Sequence, residues 1–268
     1  MIRKFIKKMI KKCMHPHNFY LSAVTPTHVV SDFIKDFRPY TTNQALIRLG
    51  ASGDGGYLVP DDLENIAACF SPGVDRVSEF EQDCLGKNMK IFMADASVDF
   101  PTINLEPEKF SFIKKHIGVL NNDRFITMDK WISDSKVDKD ADLLLQMDIE
   151  GAEYAALTNI SAENLKRFRI IVIEAHGLDH LWDTVAFEHI STPLYRILET
   201  HYCVHIHPNN VGGALTLNNI TIPRLLEFTF LRKDRVTTKT LSKEFPHALD
   251  AQNTMAPPLD LPKRWYDS

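Results

Sequence analysis

The sequence predicts an α/β fold built around an open, doubly wound, mostly parallel sheet, and three observations lead there. Short apolar runs recur at 90–94, 143–147 and 170–173, as strands buried on both faces do. Helix-forming stretches separate them, which is the alternation that parallel crossovers require. Each run also ends on an acidic residue, Asp95, Asp148 or Glu174, at the carboxyl edge where ligands of such sheets bind.

The bulk numbers suit one elaborated domain. A chain of 268 residues with 44% hydrophobic composition buries a substantial core without covalent staples. Cys13, Cys69, Cys84 and Cys203 are scattered and show no CxxC pairing, so a reduced, cytoplasmic setting is expected. No apolar run reaches bilayer-spanning length, and the first dozen residues lack the uninterrupted hydrophobic stretch of a secretory signal. Net charge is −4, yet Arg3, Lys4, Lys7, Lys8, Lys11 and Lys12 put six positive charges at the start and leave −10 on the rest. That acidic body argues against nucleic-acid binding.

Taken in order, residues 1–40 read as a basic amphipathic helix and a connection. Ile2, Phe5, Ile6, Met9 and Ile10 follow helical spacing with the basic residues opposite, a pattern that suits, in equal measure, an anionic membrane surface or docking on this protein or a partner. His15-Pro16-His17 breaks that helix, and no role is assigned to the two histidines. Residues 41–236 form the α/β domain. It opens with strand, glycine-rich turn and strand over 47–60, where Asp54-Gly55-Gly56 accepts positive φ cheaply; a plain hairpin and a backbone approach to a ligand are both compatible with it.

A buried strand at 65–70 follows, then Ser71-Pro72-Gly73-Val74-Asp75 and a helix over 78–85. The second strand, 90–94, ends on Asp95, at the offset where nucleotide-binding α/β folds grip ribose hydroxyls. Because Gly73 and Asp95 do not complete a GxGxxG fingerprint, they suit a cofactor with ribose and no pyrophosphate, such as S-adenosylmethionine. A third strand is expected within 110–119, a helix over 128–132, a strand at 143–147 leading into a helix over 150–157, and a short helix over 163–167.

The strand at 170–173, a helix over 185–200, a strand over 202–207 and a last strand over 226–231 complete the pattern. Arg232-Lys233-Asp234-Arg235 reads as a solvated strand exit, and 237–268, with Pro257, Pro258 and Pro262, as an extended or partly disordered tail. The crevice then collects Asp148 and Glu150, Glu174 and His176, and His205 or His207 with Asn209 and Asn210. Asp148 or Glu150 alone could simply cap a helix. Together, the residues suit a general base or oxygen and imidazole ligands to a divalent ion.

Several pieces resemble the FkbM family of S-adenosylmethionine-dependent methyltransferases: Arg48 with Asp54-Gly55-Gly56-Tyr57, Ser71-Pro72-Gly73 leading to Phe80-Glu81, Asp95, Asp148-Ile149-Glu150-Gly151-Ala152-Glu153, Glu174-Ala175-His176, His207-Pro208-Asn209-Asn210, and the strand from Leu226 to Arg232. The resemblance implies a class I methyltransferase, Rossmann-like fold with seven strands, the last antiparallel, and methyl transfer mostly to oxygen. It also implies S-adenosylmethionine held by Gly73, Phe80, Glu81 and Asp95, with Arg48, Asp54 and Tyr57 closing over it. Ser-Pro-Gly-Val stands where the family usually has Asp-x-Gly-Ala-x-x-Gly.

Catalysis is expected from Asp148, His207 and His176. Asp148 or His207 would take the acceptor's proton, or Mg or Mn held by Asp148, Glu174 and His176 would lower the hydroxyl's pKa. The resemblance points to a saccharide acceptor, in a surface polysaccharide or a lipid-linked glycan, and residues 1–12 fit peripheral association with the inner membrane. Three other possibilities stay open: a non-catalytic glycan-binding protein on the same fold, a nicotinamide-dependent dehydrogenase, disfavoured by the missing fingerprint, and a metal-dependent hydrolase.

Overall fold

The computed structural model describes residues 10, 22–74, 78–99 and 109–267. The amphipathic start, His15, His17, Cys13 and Asp75 lie outside them. The first helix, α1 (Thr27–Asp36), turns Val30, Phe33 and Ile34 inward, and Phe37 just beyond it meets Phe228 and Phe230 edge-on. Strand β1 (Tyr40–Thr42) follows, then β2 (Leu46–Leu49) and β3 (Tyr57–Pro60) form an antiparallel hairpin.

The chain then alternates through β4 (Ala68–Pro72), α2 (Glu79–Gly86), β5 (Lys90–Ala94), β6 (Phe110–Ile113), β7 (His116–Ile117), β8 (Phe125–Ile126) and α3 (Met128–Asp134). It continues with β9 (Leu143–Met147), α4 (Glu153–Asn159), α5 (Ala162–Arg167), β10 (Phe168–Ala175), α6 (Thr184–Thr200) and β11 (His201–Pro208). Local chemistry sets several boundaries: Thr127 caps α3, Ser161 caps α5, and Asp183 caps α6 by accepting from two backbone N–H groups. A hairpin of β12 (Ala214–Leu217) and β13 (Ile220–Pro223) precedes β14 (Leu226–Arg232), and β15 (Lys239–Leu241) returns to pair with β1.

The central sheet has seven strands in the order β11-β14-β10-β9-β4-β5-β6. β14 runs antiparallel to both β10 and β11, while the remaining pairs are parallel. This is the Rossmann-like methyltransferase arrangement, with the last strand of the sheet inserted antiparallel. β10 shows how the sheet is built: all eight residues are buried, Ile171, Ile173 and Ala175 joining one apolar layer and Ile170 and Val172 the other. The first layer packs on α1, α3, α4 and α6; the second packs on α2 and the β2–β3 hairpin. Among the described residues no helix is long and apolar enough to cross a membrane.

Four expectations change. The helix after β9 starts at Glu153, not Glu150, because Glu150 and Gly151 take positive φ, +56° and +96°, and turn the chain first. The strand expected at 65–70 runs instead to Pro72, with Asn65 in a left-handed turn. The region 110–119 divides between β6, which joins the sheet, and β7, which pairs with β8.

The charge run after β14 is not merely solvated. Arg232 bonds Asp142 at 2.6 Å and Asp234 at 2.7 Å, Arg235 bonds Asp62 at 2.7 Å, and buried Arg169 reaches Asp142 at 2.6 Å. The tail packs back onto the domain. Trp265 is fully buried against Phe228 and donates from its indole nitrogen to the Thr221 carbonyl; burying such a ring contributes about 2–3 kcal/mol.

Candidate active site

Four neighbouring strands bring one polar side chain each to the same level of the sheet. Glu174 of β10 lies opposite Glu227 of β14, and Glu227 lies opposite His207 of β11. Asp148 follows Met147, which pairs with Ile173, and so falls in line with Glu174. Side chains alternate along a strand, so Glu174 shares the face of Val172, the one roofed by the β2–β3 hairpin. Thr229, on the same face of β14 as Glu227, fastens that roof by donating to the Leu58 carbonyl at 2.7 Å. Glu174, Glu227 and His207 are each about 5% exposed, and the Asp148 side chain is 27% exposed.

Burial dominates the electrostatics of this row. It raises Asp148 to about 7, helped by Glu150, Glu153 and Asp54 and opposed by His176. It raises Glu174 to about 9, reinforced by Asp148 and Glu227, and Glu227 to about 7 against the pull of His207. Carboxyl groups that face one another out of water hold protons into neutral pH. Glu174 also accepts from Asn209 at 3.0 Å, and Glu227 from Asn253 at 2.5 Å.

His176, just past β10, stands beside the row. Its Nδ1 is 3.2 Å from the Glu153 carboxylate, and its Nε2 is 3.4 Å from Glu150 and 3.8 Å from Asp148. Burial alone would lower its pKa, but Glu153, Glu174 and Asp148 hold it up at about 9. Glu153 is fully buried at the start of α4 and accepts from the N–H groups of Ile149 and Gly151, so it caps its own helix in reverse. Among the described residues one potential cation-binding group emerges, Asp148, Glu150 and His176. Glu150 thus takes the place expected for Glu174, whose carboxylate is turned to Asn209.

At the other end of the row, Asp250 from the tail bonds His205 at 2.8 Å and lies 3.6 Å from His207 Nδ1. The burial of His207 opposes its charge, but Asp250 and Glu227 outweigh that and raise its pKa; His205, more deeply buried, is lowered. Those two histidines in turn hold Asp250 well below the usual carboxylate range despite its burial.

The residues expected around the cofactor occupy several environments. Gly73 has φ +87°, and a Cβ there would fall 1.4 Å from the Asp148 carbonyl oxygen, so only glycine lets the β4 exit lie against the end of β9. Asp95 ends β5 and accepts from the Ser97 N–H through Oδ1 at 2.6 Å. The Arg48 guanidinium is held by the carbonyls of Ala51 (2.7 Å) and Gly53 (2.8 Å), and so braces the glycine loop. Asp54 is exposed on that loop and touches Asn253 at 3.3 Å.

Tyr57 is buried edge-on against Phe80 and accepts from Gln146 at 3.3 Å. Burial and the charges of Asp148, Glu227 and Glu174 push its hydroxyl pKa well above the usual value. Phe80 and Glu81 are both buried in the first turn of α2. Glu81 is buried, hydrogen-bonded to Ser71, and has its pKa raised by that burial; Ser71 in turn reaches Gln146 at 2.6 Å.

Sequence reasoning gave no role to Glu227, Glu153, Asp250 or Asn253. Glu227 left a usable signal, an acid two residues from Thr229 in an otherwise apolar strand. A cleft of about 810 Å³ runs beside β1 and β15, lined by residues such as Tyr40, Asn43, Leu241 and Phe245, but it contains none of Asp148, Glu174, Glu227 or His207. That cleft therefore lies apart from the row. A search of curated proteins finds no match to the chain. Residues 101–195, from the approach to β6 through most of α6, match the methyltransferase FkbM domain, a stretch that holds Asp148, Glu150, Glu153, Glu174 and His176.

Proposed function

We propose that this protein is an S-adenosylmethionine-dependent O-methyltransferase whose acceptor is a saccharide hydroxyl, in a surface polysaccharide or a lipid-linked glycan. The observation that carries this is the row Asp148, Glu174, Glu227 and His207, one residue from each of four adjacent strand ends. When bound, S-adenosylmethionine supplies a methyl group on a sulfonium, which an acceptor oxygen displaces to leave a neutral thioether.

The described residues fit that cofactor at two points. The Gly73 turn leaves no side chain between β4 and the end of β9. Asp95 uses Oδ1 to hold its own turn and leaves Oδ2 for a ribose hydroxyl.

Orientation of an acceptor hydroxyl accounts for much of the rate in a displacement of this kind. Protonated carboxyls in the row donate hydrogen bonds, while the amides of Asn209 and Asn253 at its edge both donate and accept, which suits the mixed needs of a sugar; Asn210 is engaged instead with Thr254 and Ala256 of the tail. His207 receives the hydroxyl proton. Asp250 lies 3.6 Å from its Nδ1, and neither ring nitrogen has a hydrogen-bond partner among the described residues; a proton held on Nδ1 by Asp250 leaves Nε2 as the acceptor.

Calorimetric titration with S-adenosylmethionine and S-adenosylhomocysteine tests this directly. Saturable binding is expected, weakened at least tenfold in Asp95→Ala, followed by cofactor-dependent methylation in a screen of saccharide acceptors. No binding of either compound would remove the proposal.

A further inference from the structure

We propose that Asp148, Glu150 and His176 bind one divalent cation, with Mn2+ the best match, and that Glu153 orients the site. Their donor atoms all lie within 4.8 Å of one another. Two of the separations, 3.4 Å from His176 Nε2 to Glu150 and 3.8 Å to Asp148, match those between ligands sharing one ion at bond lengths of roughly 2.1 Å. The Glu150 side chain is 87% exposed and free to make the remaining adjustment.

The imidazole is set up to be a ligand. Its Nδ1 faces the Glu153 carboxylate and the Glu174 carbonyl oxygen, both at 3.2 Å, so Nδ1 keeps its proton, and a cation binding at Nε2 displaces the second proton that the surrounding acids hold there. This is the carboxylate–histidine–metal relay by which outer-shell acids fix a histidine ligand. Two buried carboxylate oxygens beside the imidazole lack a hydrogen-bond partner. Asp148 Oδ1 is buried with no hydrogen bond, and Glu153, 0% exposed, has an unpartnered Oε2. Among the described residues no lysine or arginine forms an ion pair with Asp148, Glu150 or Glu153.

The backbone contributes too. Glu150 is a non-glycine residue at φ +56° followed by Gly151 at +96°, and this turn carries the Glu150 carboxylate back over His176. Two carboxylates with one imidazole favour Mn2+ over Mg2+, which takes oxygen ligands almost exclusively. A cation here would lie beside the Gly73 turn and lower the pKa of an acceptor hydroxyl; this role, though not the binding itself, rests on the methyltransferase reading above.

The test is Mn2+ binding to the full chain, followed by electron paramagnetic resonance and calorimetry, with S-adenosylmethionine titrated into the same samples. One saturable Mn2+ site is expected, tighter than for Mg2+. Glu150→Gln and His176→Gln should each weaken it at least tenfold, and Glu163→Gln, exposed on α5, should leave it unchanged. Since Glu150 is a surface side chain, Glu150→Gln is expected to melt with the wild type, so loss of Mn2+ there reports the site and not the fold.

Absence of saturable Mn2+ binding, or binding indifferent to both Glu150→Gln and His176→Gln, overturns the site. If S-adenosylmethionine still binds in that case, the methyltransferase reading survives without the metal. Mn2+ binding that needs Glu150, with no cofactor binding, supports the cation site and removes the methyltransferase reading.

Discussion

At the edge of the sheet where the parallel strands begin, Arg169 is met by Asp62 and Asp142, Arg232 by Asp142 and Asp234, and Arg235 by Asp62. At the opposite edge, where the parallel strands end and antiparallel β14 begins, Asp148, Glu174 and Glu227 face one another, and among the described residues neither lysine nor arginine forms an ion pair with them. The first cluster is satisfied: burial tends to raise Asp142, but its bonds to Arg232 and Arg169 carry it below the ordinary carboxylate value. The second stores its mismatch as raised pKa values. Buried charge with matched partners builds structure, while buried acid without them marks a place prepared for something else to bind or react.

The largest expected effect lies at the carboxyl end. His207→Ala should lower kcat by about 100–1000-fold, roughly 3–4 kcal/mol, while cofactor affinity measured by calorimetry stays within a few-fold; equal loss in both would make His207 a binding residue. At the amino end, Arg169→Met should cost about 3 kcal/mol in chemical denaturation. Its guanidinium serves two carboxylates and the carbonyls of Asp62 and Glu64. The effect on cofactor affinity should be small, and a large one would break the division between the two ends.

The acidic row also predicts a pH dependence of stability. The folded-state value of Glu227, near 7, lies above the ordinary 4.5, so the folded protein keeps a proton that the unfolded chain has released within that window. This group's stability is fully present below the window and declines as pH rises through it, by about 2 kcal/mol between pH 5 and 8. Glu227→Gln should flatten that part of the profile of Tm against pH; an unchanged slope would assign the row a smaller share. The smallest effect belongs to neither end: Lys130→Ala, removing an exposed pair with Asp134 on α3, should cost about 0.3–0.5 kcal/mol.

The architecture was legible because parallel strands announce themselves. 90–94 and 143–147 coincide with β5 and β9, and each is followed directly by its acid, Asp95 or Asp148. Less visible was anything that depends on a backbone sign or on chain segments far apart. Glu150 and Glu174 both read as crevice acids; only the positive φ at Glu150 brings that carboxylate over His176, and no pattern of residue types encodes it. Glu227 belongs to a strand that reads as apolar, and its neighbours arise from an antiparallel insertion. Asp250 and Asn253 come from a stretch with no periodicity, and their meeting with His205 and Glu227 follows from tertiary packing alone.

That last meeting has a consequence for the order of synthesis. Every strand of the sheet leaves the ribosome before Asp250 and Asn253 do, so a nascent chain can complete its scaffold while the histidine pair of β11 still lacks its aspartate and Glu227 its amide. A chain cut short before residue 250 would also lack Leu261 and Trp265, so the completed row and the last part of the core beside Phe228 arrive together.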